Sequence, residues 1–183
     1  MSLYDPTLTR HRPAITPFQI AARPHPYNSH SNDVVHSYIL TRLQKVASRY
    51  SHVHISQDLV SNASWPVGSS YGVYFEGTNI LVKIDGSDPE YQDKGGVLFS
   101  AHYDSVSTAP GVTDDGMGVA TLMQMVEYLG QRRPKRTAIF NINNGEEDGL
   151  MGAYVWVLLL YAQARGILNF ALQFLQASLV EYH

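Results

Sequence analysis

Val97-Leu98-Phe99-Ser100-Ala101 and Thr137-Ala138-Ile139-Phe140-Asn141-Ile142 are two short apolar runs, and the stretch between them holds an apolar helical pattern over about residues 116–129. Each run is too short for a helix and lacks the alternation of a strand with one wet face, so both read as buried strands. The order strand, helix, strand predicts a βαβ unit. The fold class expected is α/β, with a mixed, mostly parallel sheet flanked by helices and residues 97–101 as a buried central strand.

Working outward from this unit, earlier residues supply further elements. Ser31 or Asn32 is placed to cap a helix through Val34, Val35, Tyr38, Ile39, Leu43 and Val46, whose spacing lays apolar side chains on one stripe. Strand patterns follow at residues 52–59, 71–75 and 79–84, with Glu76-Gly77 between the last two, and the polar residues 85–96 read as an exposed turn. Pro6, Pro13, Pro17, Pro24 and Pro26 make residues 1–31 a loop-rich lead-in. On the other side, residues 154–162 are continuously apolar, and Ile167, Leu168, Ala171, Leu172, Phe174, Leu175 and Leu179 keep helical spacing. The unbroken run is shorter than the roughly 18 residues of a membrane span, so a buried or amphipathic helix is expected. The division expected is 1–31 lead-in, 32–153 main domain and 154–183 apolar helical tail.

Composition narrows the chemistry. With 183 residues, 44% hydrophobic and 16% charged, the chain can bury one real core. A net charge of -3 leaves no basic stripe for phosphates, which argues against a nucleic-acid partner. Without cysteine, disulfides and thiolate zinc sites are excluded, so a metal would need His and carboxylate ligands. Eight histidines are each candidates. Asn62-Ala63-Ser64 is an N-glycosylation sequon, relevant only in a secretory lumen. Residues 1–16 lack a signal-peptide core, so the expectation is a cytosolic chain or one missing an upstream segment.

Three polar segments stand beside the predicted strands and helix: His102-Tyr103-Asp104-Ser105, then Gly111-Val112-Thr113-Asp114-Asp115-Gly116-Met117-Gly118, then Asn144-Gly145-Glu146-Glu147-Asp148-Gly149. Taken singly, each has a bland reading: a hydrogen-bonded histidine, an N-cap aspartate, a solvated glutamate pair. In an α/β sheet all three can reach one edge. Four or more carboxylates gathered there repel one another and call for a cation. Histidine and carboxylate donors suit zinc at roughly 2.0–2.2 Å. One carboxylate bridging two ions would hold them about 3.5–4 Å apart and make a shared water nucleophilic. Of two adjacent glutamates, one can move a proton while the other binds metal.

These segments, as His102-x-Asp104-Ser105, Gly111-x-x-Asp114-Asp115-Gly-x-Gly118 and Gly145-Glu146-Glu147-x-Gly149-x-x-Gly152-Ala153, resemble the motifs of the M28 zinc peptidases. His25-Pro26-Tyr27-Asn28-Ser29 and Tyr74-Phe75-Glu76-Gly77-Thr78-Asn79-Ile80 are similar to the fungal vacuolar membrane protease group within that family. The resemblance covers about residues 20–153. It implies a zinc-exopeptidase-like fold and hydrolysis of a terminal peptide bond by metal-activated water. It also implies that His102 binds the first zinc, Asp104 orients His102, Asp114 bridges two zincs across a cis Asp114-Asp115 peptide, Glu146 is the general base and Glu147 binds the second zinc. Peptide substrates and a lumenal place at the vacuolar membrane follow from the same resemblance. Membrane association is expected only through segments outside these residues. Two further ligands, an Asp and a His, are expected later in such a domain. Only Glu181 and His183 stand near the end here, outside any matching context, so the chain is expected to be an incomplete, C-terminally truncated or aberrantly spliced product. Two alternatives stay open: a non-catalytic remnant acting as a structural or interaction domain, and a glutaminyl-cyclase-type zinc transferase.

Overall fold

The computed structural model describes residues 17–67, 69–92 and 94–164. Residues 1–16 of the lead-in and residues 165–183 of the tail, with Glu181 and His183, lie outside the described residues.

A short helix α1 (Pro17–Ile20) precedes α2 (His30–Ala47). The cap of α2 is Ser29, two or three residues ahead of the expected Ser31 or Asn32: its backbone is extended and its Oγ accepts from the Asn32 N–H at 3.1 Å. A serine hydroxyl there satisfies one of the helix's orphan N–H groups. Val35, Ile39, Leu43 and Val46 form the buried stripe of α2.

The strands are β1 (Val53–Gln57), β2 (Asn62–Val67), β3 (Tyr71–Glu76), β4 (Ile80–Ile84), β5 (Val97–His102) and β6 (Ala138–Asn143). Two further helices are α3 (Met117–Gln131), between β5 and β6, and α4 (Met151–Ala164), after β6. Among the described residues the main sheet has four strands in the order β1-β4-β6-β5. Ile80, Val82 and Ile84 of β4 register with Ile142, Phe140 and Ala138 of β6. All six are buried, and α2 and α3 close over this apolar face and pack on each other.

The α/β class and mixed sheet are as expected, but their details are corrected in two ways. Only β5 and β6 are parallel; β1–β4 and β4–β6 are antiparallel. Parallel neighbours need a crossover, and among these strands only α3 supplies one. Residues 97–101 are also not central: β5 is the outer strand of the described sheet, and Val97 and Leu98 are 43% and 47% exposed. β4 and β6 take the centre. A short continuous apolar run does not distinguish the two positions.

β2 was not expected from the sequence. It pairs with β3 as a separate two-stranded hairpin, and its Asn62, Ser64 and Pro66 hide the strand pattern. The hairpin is pinned by Phe75, fully buried against Met151 and Val155 of α4, with the Tyr27 ring 4.9 Å away. The apolar run at residues 154–162 is indeed helical. No helix among the described residues is long and apolar enough to cross a membrane.

The parallel pair fixes where the site forms. His102 registers with Asn143, so the segments after β5 and β6 leave the sheet side by side. The N-terminal end of α3 meets them at that edge.

Candidate metal centre

His102 closes β5 and is buried. Its Nδ1 lies 3.1 Å from the main-chain oxygen of Asp104 and 3.5 Å from that residue's Oδ1. A proton on Nδ1 donated to the carbonyl turns Nε2 toward the carboxylates, at 3.2 Å from Asp114 Oδ1 and 3.7 Å from Glu146 Oε2. Burial alone would depress the histidine's pKa. The carboxylates of Asp104, Asp114 and Glu146 outweigh it and push the value up to about 9.

Asp104 is fully buried. Its Oδ1 accepts from the Glu146 N–H and its Oδ2 from the Glu147 N–H, both at 3.1 Å. Burial would raise its pKa, but hydrogen bonds from His102 and from these two backbone N–H groups hold it below the usual carboxylate range. One side chain thus ties the segment after β5 to the segment after β6.

The two aspartates of the middle segment divide their work. In the irregular turn Val112–Gly116, the Asp114-Asp115 peptide is cis. Asp115 Oδ1 accepts from the Gly118 N–H at 3.0 Å in the first turn of α3, the bland N-cap function. Asp114 faces His102 instead, with its side chain 79% exposed. Gly111 opens the turn at a φ of 64°, where a Cβ would also lie 2.7 Å from the Asp114 carbonyl oxygen.

Glu146 and Glu147 sit on the tight turn that follows Gly145, itself at φ 72°. Donor atoms of His102, Asp114 and Glu147 lie within 4.8 Å of one another, with Glu146 alongside. Burial, then the neighbouring Asp114 charge, raises the pKa of Glu147. The other histidines in the described residues stand elsewhere. His54 pairs with Asp85 at 2.8 Å, His52 Nε2 contacts the Gly130 carbonyl, and His25 Nδ1 contacts the Arg23 carbonyl. The structure therefore brings together all five residues singled out in the sequence: His102, Asp104, Asp114, Glu146 and Glu147.

Residues 79–172 match the sequence profile of peptidase family M28. The chain belongs to that family. Among relatives of this M28 chain, a vacuolar membrane protease of Schizophyllum commune is 67% identical over 139 residues, covering 76% of the chain and 15% of the relative. The vacuolar membrane protease of Laccaria bicolor is 66% identical over 138 residues, covering 75% and 13%. The M28 chain thus spans about a seventh of the length of these relatives. Its fold is similar to that of LapB from Legionella pneumophila, with a TM-score of 0.62 at 16% identity over 81% of the chain and 38% of LapB. A glutaminyl cyclase of Macrostomum lignano shares the fold at a TM-score of 0.50 and 20% identity, over 70% and 36%.

The M28 donor set of one imidazole and several carboxylates, with no thiol in the chain, fits zinc. A crowd of carboxylates around one imidazole also fits a divalent cation on charge alone.

Sequence reasoning missed what lies beneath these residues. Asn32, Thr78, Asn79, Tyr103 and Asn144 form a polar cluster under the two ligand-bearing segments. The one available signal was that Asn144 directly precedes the Gly145-Glu146-Glu147 motif.

Proposed function

We propose that this chain carries the zinc-binding and proton-transferring part of an exopeptidase that hydrolyses peptide bonds at chain ends. The observation that carries this reading is the gathering of His102, Asp114 and Glu147 donor atoms within 4.8 Å, with Glu146 beside them. In this reading His102, Asp114 and Glu147 would hold the zinc, His102 and Glu147 serving different ions and Asp114 shared between them, and residues 32–153 are the peptidase portion. The relatives' name, vacuolar membrane protease, supports a place at the vacuolar membrane, and in this reading the site works on its lumenal side.

When bound, zinc in such a set contributes Lewis acidity, which polarises a carbonyl and makes water easier to deprotonate. The chain's own residues do the rest. Asp104 holds His102 and the Glu146–Glu147 turn in one frame, and the Asp104 carbonyl fixes the His102 tautomer so that Nε2 faces the site. Glu146 is partly exposed and near His102 without being among the three closest donors, so its carboxylate is free to take a proton from water and hand it to the departing amine.

The test combines metal analysis with hydrolysis of a short peptide. Glu146→Gln should keep its zinc and lose about 10²–10⁴-fold in rate. An intact fold that holds no zinc would instead support the non-catalytic reading. Cyclisation of a glutaminyl peptide in place of hydrolysis would assign the site to the transferase class that shares the fold.

A further inference from the structure

Beneath the site lies a buried polar hub. Asn32 in the first turn of α2 and Asn144 after β6 form a reciprocal amide pair. Asn32 Nδ2 donates to Asn144 Oδ1 at 3.1 Å, and Asn144 Nδ2 donates to Asn32 Oδ1 at 2.9 Å. Asn144 Nδ2 also donates to Thr78 Oγ1 at 2.7 Å, and the Asn144 N–H donates to Asn79 Oδ1 at 3.1 Å. Asn79 Nδ2 in turn donates to the Gly152 carbonyl at 2.9 Å. The Tyr103 hydroxyl reaches the same threonine, donating to the Thr78 carbonyl at 2.9 Å with Thr78 Oγ1 at 3.2 Å. Asn32, Asn79, Tyr103 and Asn144 are all buried.

The chain positions of these residues matter. Tyr103 is flanked by His102 and Asp104, and Asn144 stands two residues before Glu146. The hub therefore grips both ligand-bearing segments, through Tyr103 in one and Asn144 in the other. Rotating either amide of the reciprocal pair alone by half a turn sets like against like, and rotating both together would turn Asn32 Oδ1 against the His25 carbonyl that Asn32 Nδ2 now reaches at 3.2 Å. Such a pair fixes orientation as well as distance. An apolar pair would fill the same space without that constraint.

We infer that Asn144, held by Asn32 and Thr78, is a positioning residue that sets the Glu146–Glu147 turn at its working distance from His102. This rests on the metal-centre reading above. It also gives a task to His25-Pro26-Tyr27-Asn28-Ser29 and Thr78-Asn79, because the first of these leads into the α2 cap and His25 supplies a carbonyl to Asn32 Nδ2 at 3.2 Å.

The experiment is zinc titration of the full, metal-stripped chain by calorimetry, with the visible spectrum of the cobalt-substituted form as a report on ligand geometry. Asn144→Ala should bind zinc roughly 10–100-fold more weakly and give an altered cobalt spectrum. Ile84→Ala is the control. Ile84 is fully buried at the far end of β4, so that variant should lose thermal stability yet keep the affinity and spectrum of the parent. If Asn144→Ala does not fold, Thr78→Val serves: it keeps the side-chain shape, removes one acceptor from Asn144, and should weaken zinc severalfold. Parent-like affinity and spectrum in the folded Asn144 or Thr78 variant overturn the hub's role while leaving the metal centre standing. A parent chain that takes up no zinc overturns both.

Discussion

His102 meets zinc with a proton to lose. Its pKa near 9 in the metal-free chain means that both ring nitrogens are protonated at neutral pH, whereas a zinc ligand must offer a bare nitrogen. Zinc binding at pH 7 should therefore release about one proton from this residue. Calorimetry in two buffers of different ionisation enthalpy measures it, and equal heats in both would refute it. The sign of the metal-free stability follows from the same shift. The folded value lies above the ordinary 6.5, so the contribution is complete below that pH and disappears as pH climbs through about 9. Asp104 is the other residue whose environment makes a firm forecast. Asp104→Ala strands the Glu146 and Glu147 N–H groups, which should cost about 2–3 kcal/mol in urea unfolding. At this scale the sequence was informative. The five candidate side chains are polar residues at strand and helix ends, where chemistry is expected. The amides of the hub were not legible, because Asn32 and Asn144 are separated by 112 positions and no local pattern links them.

At the scale of elements, α4 offers a test in which two effects have opposite signs. Gly152 is the second residue of that helix, where propensity alone favours alanine by about 1 kcal/mol. A Cβ there would collide with the Asn144 carbonyl oxygen and with Asn79 Oδ1. Gly152→Ala should thus lower stability, by about 1–3 kcal/mol, and a raised melting temperature would show that the turn has room to move. The helices were the most legible elements. Periodicity located α2 and α3, and the cap of α2 moved from the expected Ser31 or Asn32 to Ser29, because such polar residues stand close together on both sides of the helix start. The strands were harder. β2 carries Asn62, Ser64 and Pro66, and it exists because β3 offers it a ladder, a fact that resides in the partner.

For the molecule as a whole, the order β1-β4-β6-β5 sets a gradient of protection. β4 and β6 have a neighbour on both sides and an apolar face under α2 and α3, whereas β5 is paired on one side only among the described residues. Amide hydrogen exchange in β4 and β6 should be the slowest in the chain, with β5 opening at a lower free energy; equal protection across the three strands would contradict this. The sequence predicted both members of the parallel pair but put residues 97–101 at the centre, where β4 and β6 stand instead, since burial within a sheet is decided by what lies alongside. Asp104 carries a consequence of a different kind. By receiving the N–H groups of Glu146 and Glu147 it stands in for the acceptors that a stretch of regular backbone would provide. The turn that bears the two glutamates is then clamped rather than laddered, by a carboxylate that takes up its N–H groups and by the amides that hold the residue just before it.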